Sequence, residues 1–451
     1  MQIFSKEYFS QYKRNWALAY PLMIVQSMQM VMHIVDNIMV GRLGSMSLAG
    51  VTYANSVFAL FLFIAIGLSL GLTPLVGKAN GEGNVTKLKI IFNTSLTFHI
   101  IFAFVFCLGI YSMSFVLDYF EQEAQVVTIA KPFYKLICLS MIPAIIFGHF
   151  KHFLEGMKII KPAANILIIS NILNIIFNYL FIYGNYGFPA LGTLGSAVST
   201  CCARFLQLVM ILGYYCYHCD LFHEYFKHIR LKIDWRVLAD FIKLGAPIAL
   251  QLVAEVAYFS FGGIMVGYFG AAALAGHAIA LNIISLNYLL ASGFSGAATI
   301  SVSNFHGEKK FRKVQVAAFS SALMTVVFMS FCTVAIILSR YQIPLIYLEK
   351  TEVEAISMAA NLLILGAVFE LFDGMQVISL GILRGLHDVK IPSLICVLSY
   401  WVVGFSASYL LSVKLGFGAQ GVWDGYILSL ACAATLLGLR SYRAVKQLDV
   451  C

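Results

Sequence analysis

The sequence predicts an all-α polytopic membrane protein with 12 transmembrane helices in two six-helix lobes related by an internal repeat. Three observations carry this. First, 60% of the 451 residues are hydrophobic and 11% are charged, against about 25% charged in a soluble domain. Mean hydropathy is +0.86. A soluble fold of this size could not cover its surface with so few charges. A soluble enzyme, a disordered chain and a nucleic-acid binder are thereby excluded. Second, apolar stretches of the length a bilayer requires, about 20 residues, recur along the whole chain. Third, the two halves of the chain align at a constant offset.

The spans run near 15–41, 46–77, 90–117, 126–150, 162–183, 191–217, 238–268, 272–304, 314–339, 353–382, 392–413 and 419–439. They leave little room for a water-soluble domain. Residues 1–14 contain Lys6, Lys13 and Arg14 and read as a basic flank. The apolar run behind them is too long for the core of a cleavable signal.

Basic residues set the orientation. Of the 30 Lys and Arg, 23 fall in the tails and loops on the side of the N-terminus, and 6 on the other side. Lys131, Lys135 and Lys243 fall within the bounds above but are counted with the adjacent loops, which leaves Arg204 read as the one base within a span. Loops rich in Lys and Arg stay in the cytoplasm, so both termini are expected there. The net charge of +9 then reports topology and attraction to the anionic lipid bilayer. No nucleic-acid partner is expected. The ten cysteines are scattered singly and read as small hydrophobes. Cys216, His218, Cys219 and His223 gather at a span end, but without a second Cys-x-x-Cys they do not predict a metal.

The repeat has an offset of 226 residues. Pro21 meets Pro247, and Ile38-Met39-Val40-Gly41 meets Ile264-Met265-Val266-Gly267. Gly44, Gly50, Gly67 and Gly81-Glu82 meet Gly270, Gly276, Gly293 and Gly307-Glu308. Later, Gly192 and Gly195 meet Gly418 and Gly421. The lobes are expected at 1–225 (spans 1–6) and 226–451 (spans 7–12). Six spans per half give both halves the same orientation, which is a parallel repeat about an axis along the membrane normal. Two such lobes can rock against each other, with substrate near the midplane.

Five of the 21 acids lie more than two residues inside a span: Asp36, Glu255, Glu370, Asp373 and Asp424. A charge at the bilayer centre costs at least about 2.5–3.5 kcal/mol, so each needs a partner, a proton or a wet cavity. Arg204 can neutralise one at most. Burial disfavours the charged form of a carboxyl, which suits exchange of a proton or binding of Na⁺. In span 5, Asn174 and Asn178 share a helix face, with Asn171 one turn earlier. Neutral amides can bond a carboxyl in either protonation state, which suits Asp36. In span 10, Glu370 and Asp373 stand one turn apart, with Phe369 beside them. With Glu255 they could offer oxygens and an aromatic face to a dehydrated monovalent cation. Asp424, His33 and His277 read as structural. Asp36 and Glu255 are not equivalent under the repeat, so the lobes share a scaffold and carry different chemistry.

These residues, in this order, resemble the multidrug and toxic compound extrusion (MATE) family, and within it the NorM-type bacterial branch. The likeness rests on Pro21…Asp36-Asn37-Ile38-Met39-Val40-Gly41, Pro247…Glu255…Met265-Val266-Gly267 and Leu274-Ala275-Gly276-His277. It extends to Asp373-Gly374-Met375-Gln376, Leu383-Arg384-Gly385 and the paired glycines near 192 and 418. The resemblance implies a V-shaped antiporter of the bacterial inner membrane that exports bulky organic cations and drugs in exchange for Na⁺ or H⁺. It implies no cofactor, no enzyme activity and a monomer. It makes Asp36 with Asn174 and Asn178 one site. Glu255 and Asp373 become the Na⁺ or proton site of the other lobe, with Phe369 in the aromatic position. Asn37 stands where the family usually has Thr, Gly276 where it often has Ala, and Glu370 where this branch commonly has Gln. The last adds a carboxyl.

A flippase for lipid-linked saccharides has a related architecture, but an anionic cargo calls for a basic cavity, and here five acids face Arg204. A channel would show a repeated filter-like loop or a symmetric ring of acids, and neither is present.

Overall fold

The structure, a computed structural model, describes residues 6–119, 122–218 and 232–448. Among these, 12 helices are long and apolar enough to cross a membrane. They are α1 (Lys6–Gly41), α2 (Ser45–Gly81), α3 (Val85–Asp118), α4 (Ala124–Gly156), α5 (Lys161–Tyr183) and α6 (Thr193–Tyr217) in the first half. The second half holds α7 (Trp235–Gly267), α8 (Ala271–Gly307), α9 (Phe311–Ser339), α10 (Val353–Gly385), α11 (Lys390–Lys414) and α12 (Gly418–Gln447). Several outrun the predicted spans; α1 begins at Lys6 rather than near residue 15. Hydropathy registers the hydrocarbon thickness, whereas a 37-residue helix such as α2 is about 55 Å long.

The repeat is visible in the turns. Gly44 before α2 and Gly270 before α8 have φ of 119° and 101°. Both lie in the region that glycine alone enters freely, which explains their register in the sequence. The helices are also interrupted at defined points. α2 breaks after Leu70 and resumes at Leu72, and α4 breaks at Ser140 between Leu139 and Met141. In α11 the turns widen over Ser399–Gly404 and Leu410–Lys414. Such wide turns re-aim side chains and recur at functional sites.

By contacts the chain forms two compact units. One is Ser27–Ala249, and the other is Met1–Gln26 with Leu250–Cys451. These boundaries differ from the 225/226 division of the repeat, because each falls inside a helix, in α1 and in α7. The repeat is a property of the sequence; the contacts record which half-helix packs where. The first half of α7 lies against α2, where a Cβ on Gly67 would stand 2.6 Å from the Ala249 nitrogen. The first half of α1 lies against α8, where a Cβ on Gly293 would stand 2.9 Å from the Met23 nitrogen. The 226 offset turns one contact into the other.

Apolar packing fills each unit. Phe58, Tyr134, Ile137 and Met141 are central to the first, and Tyr258, Tyr400, Trp423 and Tyr426 to the second. In a bilayer this packing is dispersion rather than escape from water, so close contact and hydrogen bonds carry the specificity. One polar knot fastens α1 in its unit. Asn15, 1% exposed, donates to Ser320 Oγ and Ser321 Oγ at 2.8 Å each and accepts from Gln11 Nε2 at 2.7 Å. Asn15→Leu strands these partners, at about 1–3 kcal/mol. A fall in the unfolding temperature of the purified protein is expected, and an unchanged temperature would show that the knot is dispensable.

Candidate cation and proton sites

In the unit Ser27–Ala249, α1 and α5 bring together the residues that the sequence had singled out. Asp36 sits one turn before the end of α1, partly buried. Its Oδ1 accepts from Asn178 Nδ2 at 2.5 Å. The same Nδ2 donates to Asn174 Oδ1 at 3.2 Å. The i, i+4 spacing on α5 makes that possible, since both amides leave one face of the helix. Asn174 and Asn178 are 4% and 0% exposed, so α5 holds them rigidly. Asn171 lies one turn away with its Nδ2 buried and unpaired. Arg204 on α6 does not bond Asp36 directly. It donates to Ser140 Oγ at 2.7 Å, at the break in α4, and lies over the Phe58 ring. Its charge still acts on Asp36.

In the other unit, α7, α8, α10 and α11 supply a larger acidic site. Glu255, Glu370 and Asp373 are 7%, 0% and 3% exposed. Asp373 interacts electrostatically with both of the others. Glu255 Oε2 accepts from Gln251 Nε2 at 3.3 Å, one turn back on α7. Gln251 Oε1 in turn accepts from Arg384 Nη2 at 3.0 Å. Glu370 Oε1 accepts from Asn287 Nδ2 on α8 at 2.6 Å. Gln376 Nε2 donates to the Tyr400 hydroxyl, which the wide turn of α11 presents. Three acceptor oxygens are buried without a donor: Glu370 Oε2, Asp373 Oδ2 and Gln376 Oε1. They belong to residues three apart along α10. Buried acceptors without donors are costly, and a bound cation or proton relieves that cost.

Phe369 is 3% exposed and packs among Phe259, Trp423 and Tyr426, with ring centroids 5.8–6.4 Å away. His277 accepts from Trp423 Nε1 at 3.1 Å through its Nδ1. His33 is exposed, and Asp424 is half-buried in the second turn of α12. Among the described residues no three His, Cys, Asp or Glu converge to hold a metal. Cys219 and His223 lie outside the described residues.

One expectation needs correction. Arg204 is not the only base inside a helical span: Arg384 lies in the last turn of α10, with its Nε buried and unpaired, and reaches Glu255 through Gln251. It had been grouped with the loop because it stands two residues beyond the predicted span end. Gln251, Asn287 and Tyr400 were missed too. Neutral polar side chains barely alter hydropathy, and only the fold shows which acid each one meets.

The sequence matches the MatE family model over residues 21–180 and 247–410, one match in each half. The chain belongs to the MatE family. It is 31% identical to the multidrug resistance protein MdtK of Yersinia pseudotuberculosis, over 98% of this chain and 97% of that one. It is 28% identical to a probable multidrug resistance protein NorM of Agrobacterium fabrum, over 98% and 96%. The MatE fold is equally plain. The eukaryotic MATE transporter AtDTX14 superposes with a TM-score of 0.85 at 20% identity, covering 98% of this chain and 100% of that one. A MOP superfamily transporter from Pyrococcus furiosus gives 0.88 at 18%, covering 97% of each. As a MatE member the protein is an integral membrane transporter and not an enzyme.

Proposed function

We propose that this transporter exports organic cations and drugs in exchange for Na⁺ or H⁺, by alternating access across the bacterial inner membrane. Both termini then lie in the cytoplasm, as the basic loops require. The observation that carries the reading is the row of buried acceptor oxygens without donors on α10, beside Glu255. Such a row is suited to a small cation or a proton. The multidrug resistance names of MdtK and NorM support the drug cargo. A monomer suffices, because one chain holds both acid sites.

Competition follows from charge. A cation or proton at Glu255, Glu370 or Asp373, or a proton on Asp36, removes negative charge that would attract a cationic drug. Loading one therefore expels the other. Asn174 and Asn178 keep Asp36 in place in either state, while Phe369, buried among Phe259, Trp423 and Tyr426, braces the aromatic cluster beside the acids and does not face the cargo. One charge moved through 100 mV yields about 2.3 kcal/mol. That is close to the roughly 2.7 kcal/mol that a hundredfold gradient of a neutral drug requires; a singly charged drug exchanged for one ion moves no net charge, so there the ion's own concentration gradient supplies the work. A flippase for lipid-linked saccharides would need bases where these acids stand.

Ethidium efflux from proteoliposomes with imposed Na⁺ or H⁺ gradients tests the proposal. Efflux is expected to accelerate severalfold with at least one gradient. Asp36→Asn is expected to lower the driven rate about tenfold, since an amide keeps the Asn178 contact but cannot cycle a proton. Wild-type efflux indifferent to both gradients would exclude antiport.

A further inference from the structure

The unit Ser27–Ala249 carries an open groove of about 430 Å³ between the start of α5 and the end of α6. It lies roughly 25 Å along α5 from Asn178, so it is apart from the Asp36 site. Lys161 and Asn165 line it from α5, and Gly213, Tyr214 and Tyr217 from α6, with His218 just beyond. Gly213 opens it, since nothing lies within 4 Å of a Cβ at that position. Lys161 is exposed and forms no ion pair among the described residues. His218 Nδ1 donates to the Tyr214 carbonyl at 3.2 Å, and its ring lies on that of Tyr214, with centroids 4.3 Å apart.

The lengths of the helices place this groove in the bilayer. α5 has 23 residues, about 35 Å of helix, against a hydrocarbon core of about 30 Å. Lys161, in its first turn, therefore stands at headgroup level, where tyrosine rings also gather. Deeper in the bilayer, Ile169 and Ile172 of α5 and Val209 of α6 are 48%, 51% and 46% exposed. They follow Asn165 and precede Gly213 at helical spacing, so they continue the same two faces. A basic, tyrosine-lined mouth thus opens onto an apolar seam.

The repeat shows what a closed version looks like. Lys158 and His387, with φ of 67° and 65°, mark the same point before α5 and α11. Ile159 then corresponds to Asp388, Lys161 to Lys390 and Asn165 to Leu394. The offset of 226 pairs Gly213 and Tyr214 with Leu439 and Arg440. In that half the mouth is neutralised from within, because Arg440 Nε donates to Asp388 Oδ2 at 2.6 Å. Leucine takes the place of the glycine. The first half keeps the base, lacks the acid and leaves the space empty of side chain.

We propose that the groove binds one anionic phospholipid of the cytoplasmic leaflet. Its phosphate meets Lys161, and its acyl chains lie along Ile169, Ile172 and Val209. A zwitterionic lipid carries its own cation and gains less from the lysine. The choice of leaflet rests on the orientation read from the basic loops; the binding does not.

Native mass spectrometry of the purified full chain tests this, in detergent micelles titrated with phosphatidylglycerol or phosphatidylcholine. The wild type is expected to hold one phosphatidylglycerol about fivefold more tightly than phosphatidylcholine, the worth of one lysine at a membrane surface. Lys161→Gln is expected to remove that preference. Gly213→Leu, which supplies the residue of the other half, is expected to remove the tight site altogether. Lys390→Gln is expected to bind as the wild type does. Equal retention of the two lipids by the wild type overturns the proposal. So does an undiminished preference in Lys161→Gln, or an equal loss in Lys390→Gln. Release of the lipid by inorganic phosphate would make this a site for soluble anions and overturns it too. Should Gly213→Leu fail to fold, the two lysine variants decide alone. No drug or ion gradient enters the measurement, so its outcome is independent of the antiport reading.

Discussion

Glu255→Gln is expected to lower gradient-driven ethidium efflux at least tenfold while the protein still folds and inserts. Glutamine keeps the shape of the side chain and its contact with Gln251, which donates at 3.3 Å in the native site. It removes the one property that coupling needs, a charge that a proton or Na⁺ can cancel. The loss is felt beyond residue 255, because Glu255 acts electrostatically on Asp373. The site then loses one cation equivalent. Asp373→Asn is expected to behave alike. Glu255→Asp keeps the charge but draws it back by one methylene, and an intermediate rate is expected. A tenfold loss corresponds to about 1.4 kcal/mol, modest beside the several kcal/mol that a buried charge commands. Efflux by Glu255→Gln at the wild-type rate, with the wild-type gradient dependence, would remove this site from the mechanism.

Arg384 sharpens that reading. It is tied to Gln251 at 3.0 Å, so Glu255 receives a neutral donor whose other end is held by a cation. The arrangement gives Glu255 some positive field without closing it in an ion pair. A direct salt bridge would have occupied the carboxylate that a coupling ion must reach. The Asp36 site is built on the same plan: Arg204 acts at a distance while Asn178 makes the contact. Each unit thus holds its acid with an amide and keeps its base one step removed.

This plan was only partly legible in the sequence. The acids stood out because each is expensive inside an apolar run, and Asn174 with Asn178 stood out through helical spacing. Gln251 and Asn287 carry no such cost and no motif. Arg384 was hidden by a span end placed two residues early, where hydropathy fades although the helix continues to Gly385. The twelve helices were legible because length and apolarity alone define them. The division of α1 and α7 between units was not, because no periodicity along a helix states which neighbour each half meets.

Gly67→Val and Gly293→Val are expected to be among the most destabilising single substitutions in the chain. At Gly67 a Cβ would lie 2.6 Å from the Ala249 nitrogen and 2.9 Å from its Cβ. At Gly293 it would lie 2.9 Å from the Met23 nitrogen and 3.1 Å from its Cα. The atoms in the way are largely backbone, so no rotamer change relieves the clash, and the helices must separate. Overpacking typically costs about 1–3 kcal/mol. Here the lost close approach also removes the dispersion that holds helices together in lipid. Because the offset of 226 maps one contact onto the other, the two variants should fall in unfolding temperature by similar amounts. Gly109→Val and Gly213→Val provide the comparison, since nothing lies within 4 Å of a Cβ at either position; near-wild-type values are expected there. A Gly67→Val protein that unfolds at the wild-type temperature would mean that α2 and the first half of α7 do not pack as described. A large difference between Gly67→Val and Gly293→Val would show that the two half-helix contacts, alike in geometry, carry unequal loads.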